Sequence, residues 1–192
     1  MIVANVYDFD KTIVYPDGGA TFFFFCLRRY TFKLLPYLPK QILELLRFAV
    51  LHRRAAPFKA EYYTYLRSLP DWREEVRLFW QTQADKLLKP WYLEQKRPDD
   101  IIISCSAEFF LRPLCEQLGV RVVGTLVNTE TGRLEGFSCY GQEKARRLRE
   151  AFGEVEIDEL YSDSLSDGHL ARMARRAWLV KGDERLPWPN QK

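Results

Sequence analysis

The chain opens with a nearly continuous apolar run, Ile2 to Tyr7, rich in β-branched and aromatic residues, which stops at Asp8-Phe9-Asp10-Lys11-Thr12. A run of this kind predicts a strand buried on both faces. A second one, Ile101-Ile102-Ile103, follows the loop residues Pro98, Asp99 and Asp100. From there the pattern alternates. Phe110, Leu111, Leu114 and Leu118 recur at helical spacing between Ala107 and Leu118, and Gly119 stops them. A strand over Val120 to Val127 and a turn at Thr131-Gly132 come next. A helix over Gln142 to Phe152 follows, with Arg146, Arg147 and Arg149 outward and Gly153 as its stop. The remaining pattern predicts a short strand Glu159 to Ser162, a helix Gly168 to Arg176 and a last strand Ala177 to Val180. Strands alternating with helices predict an α/β fold with a doubly wound, Rossmann-like parallel sheet.

Between Gly18 and Lys96 the strand pattern is absent. Ile42, Leu45, Leu46, Ala49 and Val50 make one apolar helical face, and Tyr62, Tyr65 and Leu66, then Val76, Phe79 and Trp80, repeat the period. Pro36, Pro39, Pro57, Pro70 and Pro90 divide these stretches. The chain therefore reads as an α/β core, residues 1–15 and 99–192, interrupted by an all-helical insert, residues 16–98.

Composition narrows the class. At 192 residues and 47% hydrophobic content the chain suffices for one domain with a large insert. No apolar run approaches the roughly 20 residues that span a bilayer, since Arg28 and Arg29 close Phe22 to Leu27 early. The N-terminus lacks a basic leader, and the expected compartment is cytoplasmic. Cys26, Cys105, Cys115 and Cys139 show no paired spacing, so reduced thiols are expected rather than a zinc site. The net charge of +3 is unevenly spread: the insert has 15 Lys or Arg against 8 Asp or Glu, and the remainder 14 against 18. A basic segment beside an acidic one can steer an anion inward.

In a doubly wound sheet, ligands bind beyond the carboxyl ends of the strands. Asp8 and Asp10 fall there after the first strand, Ser104 after the second, and Asp163 and Asp167 after the short strand at Tyr161. Three or more carboxylates brought together repel unless a hard cation such as Mg²⁺ neutralises them.

In order along the chain, Asp8-Phe9-Asp10-Lys11-Thr12, Ser104 after the Ile run, Lys144 at a helix start, and Asp163-Ser164-Leu165-Ser166-Asp167 resemble the four motifs of the haloacid dehalogenase-like hydrolase superfamily. The first motif alone arises by chance in roughly 2% of chains this long, so the weight rests on all four in order. SCSAEFFLRPLCEQLG and YSDSLSD are most similar to the phosphoserine phosphatase-like subfamily, whose helical cap lies where the insert lies. The resemblance implies Asp8 as nucleophile and Asp10 as general acid and base. It implies Ser104 and Lys144 as phosphate-binding groups. Asp8, Asp10 through its backbone carbonyl, Asp163 and Asp167 would hold Mg²⁺, the last through water or from behind the direct ligands. The implied activity is hydrolysis of a phosphate monoester through an aspartyl-phosphate, because an acid at Asp10 serves an alkoxide and not a halide. A phosphotransferase and a membrane-associated, non-catalytic binding protein are the alternatives.

Departures from the pattern bear on substrate. Two glycines usually follow the second-motif serine, and this chain has Cys105-Ser106-Ala107. That argues against phosphoserine itself, although Asp17 lies where an acid could meet an amine; Asp17-Gly18-Gly19 reads first as a turn. The expected partner is a small phosphorylated substrate, with a lipid phosphate open through Phe22 to Phe25 and the face around Leu45. Arg28, Arg29, Arg53 and Arg54 leave contact with a membrane surface open, but such a stripe is more often bundle core. No motif suggests nucleic acid.

Overall fold

The computed structural model describes residues 2–43 and 61–189. Six strands form one sheet, in which the third, second, first, sixth, seventh and eighth strands of the chain lie side by side in that order. They are β1 (Ile2–Tyr7), β2 (Ile101–Ala107), β3 (Arg121–Thr125), β6 (Val155–Ser162), β7 (Ala174–Lys181) and β8 (Glu184–Pro187). The first five are mutually parallel, and β8 pairs antiparallel with β7. This is the doubly wound α/β architecture the pattern predicted. A separate hairpin pairs β4 (Val127–Asn128) with β5 (Arg133–Leu134).

Neighbouring residues of each central strand feed different layers, as alternation requires. Tyr7, Ile102 and Tyr161 enter one apolar cluster, whereas Val6, Ile101, Ile103 and Leu160 enter another. Helix α5 (Glu108–Leu118) lies in the first layer through Phe110, Leu111 and Leu114. Helices α6 (Gln142–Phe152) and α7 (Gly168–Ala171) lie in the second through Ala145, Leu148, Leu170 and Ala171. The chain fills the sheet outward from β1 to β3 and then returns to β6 beside β1. The carboxyl ends of β1 and β6 therefore flank the switch point of the topology, where a ligand crevice opens.

Among its described residues the insert is helical. It comprises α1 (Gly18–Arg29), α2 (Thr31–Leu34), a 3-10 turn at Leu35–Tyr37, a 3-10 helix at Tyr62–Ser68, α3 (Trp72–Leu87) and α4 (Pro90–Gln95). Leu45, Leu46, Ala49, Val50, Arg53 and Arg54 lie outside the described residues. Asp17 caps α1 by accepting from the Ala20 N–H at 2.8 Å, and Asp71 caps α3 from Arg73 and Glu74. The insert shares a core with the sheet layer beneath it. Trp80 donates its indole N–H to the Phe110 carbonyl at 2.7 Å and meets Phe9 edge-on, and the Phe22 ring lies 5.2 Å from that of Phe110. Phe22 and Phe23 are buried in this shared core, and Phe24 faces solvent.

The two passages between sheet and insert run side by side. The Tyr15 N–H donates to the Leu87 carbonyl at 3.0 Å and the Lys89 N–H to the Ile13 carbonyl at 2.9 Å, with Val14 bridging Leu88 between them. This antiparallel pairing fixes where the insert leaves and rejoins the sheet.

Several element boundaries differ from the sequence pattern: β2 runs on past Ile103 to Ala107, so Ser104 lies within it, and β6 begins at Val155 rather than Glu159. The expected strand over 120–127 breaks at Leu126, and its end joins the small hairpin. The expected helix over 168–176 ends at Ala171, because Ala174 to Arg176 already belong to β7. Arg175 and Arg176 pair there with Glu156 and Glu159 of β6, so their charges are met across the sheet. The edge strand β8 carries no apolar pattern and is exposed throughout.

Candidate active site

The first strand stops at Tyr7, and the chain turns immediately. The Asp8 N–H still donates to the Tyr161 carbonyl of β6 at 2.8 Å. Phe9 is fully buried, and its carbonyl accepts from the N–H groups of Thr12, Ile13 and Val14 at 3.0 to 3.3 Å. Lys11 completes the turn with φ +60°, the only non-glycine residue in the left-handed region among those described. Asp8 and Asp10 thus flank a buried phenylalanine at the start of a tight turn. The turn carries Asp10.

Asp8, Asp10, Ser104, Lys144, Asp163 and Asp167 all line one cleft at the switch point, together with Lys11, Asp17, Cys105, Tyr140, Ser164 and Ser166. The cleft holds about 90 Å³ of space open to water. That is room for several waters or one tetrahedral oxyanion. Every predicted site residue is therefore brought together.

Lys144 is the electrostatic centre. It is 3% exposed, and its ammonium donates to Asp8 Oδ1 and Asp167 Oδ2, both at 2.7 Å. Burial alone would lower its pKa, but the charges of Asp167 and Asp8 reverse this and hold it well above its ordinary value. Asp167 is 1% exposed and also accepts from the Ser162 hydroxyl at 2.7 Å. Burial raises its pKa against the pull of Lys144. Asp163 is pushed up to about 7, first by burial and then by the charge and hydrogen bond of Asp8. Thr12, fully buried, links the two acidic loops by accepting from the Asp163 N–H at 2.9 Å.

Asp10 is held by donors that the sequence did not single out. The Gly18 N–H, at the first residue of α1, reaches Oδ1 at 2.7 Å, and the Ser106 hydroxyl reaches Oδ2 at 2.6 Å. A Cβ at Gly18 would stand 3.1 Å from the Phe9 and Phe110 rings, which would have to give by a few tenths of an ångström to admit it. Ser106 belongs to an irregular part of β2, where the pairing register with β3 shifts between Ile103 and Ala107. The same irregularity carries Ser104, 1% exposed, whose oxygen accepts from the Ser106 N–H at 3.0 Å. The signal that could have found Ser106 was its position: a hydroxyl where relatives of the pattern have glycine.

Lys89 was also missed. Its ammonium is buried and donates to the carbonyls of Lys11 at 2.7 Å and Gly182 at 2.5 Å. Burial lowers its pKa, with Asp183 and Asp163 opposing. It thereby fastens the left-handed turn beside Asp10 to the passage out of the insert.

Three carboxylates, Asp8, Asp163 and Asp167, face one ammonium, and Asp167 Oδ1 is buried without a hydrogen-bond partner. Such all-oxygen donors with unmet negative charge suit a hard divalent cation. No three Asp, Glu, His or Cys side chains among the described residues are drawn together at coordination spacing, and Lys144 spans Asp8 and Asp167.

Residues 6–172 match the family model for haloacid dehalogenase-like hydrolases. No curated protein matches the chain in sequence. Among solved structures, the chain resembles a protein with unknown function from Bordetella pertussis Tohama I, at TM-score 0.78 and 18% identity, over 93% of this chain and 90% of that one. It resembles a phosphoserine phosphohydrolase-like protein from Francisella tularensis, at TM-score 0.59 and 15% identity, over 95% and 88% of the two chains. A HAD family hydrolase from Salmonella enterica serovar Typhi aligns at TM-score 0.57 and 14% identity, over 93% of this chain but only 63% of its own length. At these identities the likeness is one of fold.

Proposed function

We propose that this chain, which belongs to the haloacid dehalogenase-like hydrolase family, is a phosphatase that cleaves a phosphate monoester through an aspartyl-phosphate on Asp8. The observation that carries the reading is the cleft itself, with two carboxylates in separate settings on one turn. Asp8 is tied to the buried cation Lys144, and Asp10 is tied to neutral donors on α1 and β2. Two carboxylates differently held suit two roles.

In this mechanism an oxygen of Asp8 attacks phosphorus while the bond from phosphorus to the ester oxygen breaks. Asp10 gives its proton to the leaving oxygen, and the Gly18 N–H and Ser106 hydroxyl stabilise the carboxylate that results. A water then loses a proton to Asp10 and attacks phosphorus, and the bond to Asp8 breaks to release inorganic phosphate. Splitting the displacement in two lowers each barrier. Lys144 holds Asp8 in place and, with the Ser104 hydroxyl, offsets charge on the phosphoryl oxygens. Mg²⁺ would be held by Asp8, Asp163 and the Asp10 carbonyl, with Asp167 acting through water or from behind them, and when bound would supply positive charge beside the transferring group.

The test is phosphate release from amino-acid, sugar, nucleotide and lipid phosphates, with and without Mg²⁺, comparing wild type with Asp8→Asn and Asp10→Asn. Turnover that requires the metal and both aspartates is expected. Turnover that survives Asp8→Asn would refute the covalent route. Phosphate transfer to an added alcohol in preference to water would replace hydrolase by phosphotransferase.

A further inference from the structure

The basic excess of this chain lies in one stretch. Residues 18–60 hold eight Lys or Arg and a single acid, Glu44, whereas the rest of the chain holds 21 against 25. Its described part, residues 18–43, has no acidic residue. Phe22, Phe23, Cys26 and Leu34 pack that part into the core. What it presents outward is nonetheless apolar: Phe32 is 94% exposed, Leu35 52%, and Phe24, Ile42 and Leu43 are each more than two-fifths exposed. Arg29 is paired with Glu75 and Lys40 with Glu61. Arg28 and Lys33, both exposed, have no carboxylate partner among the described residues.

We propose that the helical stretch 18–43 docks the protein on an anionic lipid surface. Bulky apolar side chains interleaved with basic ones that lack a carboxylate partner among the described residues, in a stretch that contributes no acid of its own, are what an interfacial segment needs. The alternatives fit less well. A second copy of this chain would bring Arg28 and Lys33 against their own like charges across a two-fold. A nucleic acid would meet the cations but leaves exposed leucine and isoleucine side chains without a counterpart.

Docking also has a consequence for the cleft. Helix α1, the first part of this stretch, starts at the site, where its first N–H holds Asp10, and runs 12 residues to Arg29. A helix of that length spans roughly 18 Å. A phosphorylated amphiphile drawn partly from the layer is then the substrate class, an extension that rests on the phosphatase reading, whereas docking does not.

Co-sedimentation of the full chain with vesicles of phosphatidylcholine, alone or mixed with phosphatidylglycerol, tests this. Pelleting with the mixed vesicles only, weakening as salt rises, is expected. Each basic charge near such a surface is worth about fivefold in partitioning, so Arg28→Glu with Lys33→Glu should lower it at least about 25-fold. Phe32→Ser should lower it at constant charge, and Arg149→Glu, on the exposed side of α6, should leave it unchanged. Asp8→Asn should pellet as wild type does, which separates docking from catalysis. No pelleting on anionic vesicles, or equal pelleting on neutral ones, would overturn the proposal. So would tight RNA binding, or a dimer broken by Phe32→Ser, in a protein that ignores vesicles.

Discussion

Replacing Lys144 by Met keeps the bulk of the side chain and removes its charge from between Asp8 and Asp167. In the wild type each of these carboxylates receives a 2.7 Å ammonium hydrogen bond. Asp167 keeps only the Ser162 hydroxyl on the oxygen that Lys144 had bonded, and its other oxygen has no partner already. Removing one member of a buried ion pair costs about 3–5 kcal/mol, because the charge left behind is neither solvated nor paired. The expected loss, read by urea unfolding in metal-free buffer at pH 8, lies in that range. It should shrink as pH falls, because burial raises the pKa of Asp167, and it should shrink with Mg²⁺. In an Asp167→Asn background the same substitution should cost clearly less, since one of the two stranded charges is gone. A loss under about 1 kcal/mol at pH 8, or an equal loss in both backgrounds, would show that Lys144 does not neutralise this cluster.

Asp163, pushed up to about 7 from an ordinary 3.8, makes the metal-free folded state bind more protons than the unfolded one between those values. Stability should therefore fall as pH rises from about 5 to 8, and saturating Mg²⁺ should flatten the curve; thermal melts across that window would contradict the assignment by showing a rise. Ser106→Ala removes the 2.6 Å hydrogen bond to Asp10. Bonds to charged groups are worth about 1.5–3 kcal/mol, so kcat should drop roughly ten- to hundredfold with KM little changed; an unchanged kcat would leave Ser106 a bystander. Lys89→Met should lower stability by about 1–3 kcal/mol and depress kcat through the Lys11 turn, and urea titration alongside steady-state kinetics would refute this if neither moved.

The order of elements and the placing of the acidic cleft were legible because both follow from short-range pattern. An apolar run that ends in polar residues marks a buried strand and its functional end without reference to the rest of the chain. The grouping of Asp8, Asp10, Ser104, Asp163 and Asp167 followed from the topology rule, since doubly wound sheets gather strand ends, whereas Lys144, near a helix start, came only from the resemblance to the family motifs. What stayed hidden depends on pairs far apart in sequence. The Ser106 hydroxyl meets Asp10 across 96 positions, and the Lys89 ammonium meets the Lys11 carbonyl across 78. No periodicity encodes either, and a lone serine or lysine has many unremarkable uses. The same holds for β7, where Ala171 and Ala174 continue a helical spacing until Arg175 and Arg176 find their carboxylates on β6. Local propensity was outvoted there by a neighbouring strand. Lys89 joins these two scales. It lies at the passage out of the insert, yet its charge is used on a turn of the first motif. Any movement of the insert relative to the sheet must therefore either carry the Asp8 to Asp10 turn with it or break a buried ammonium bond.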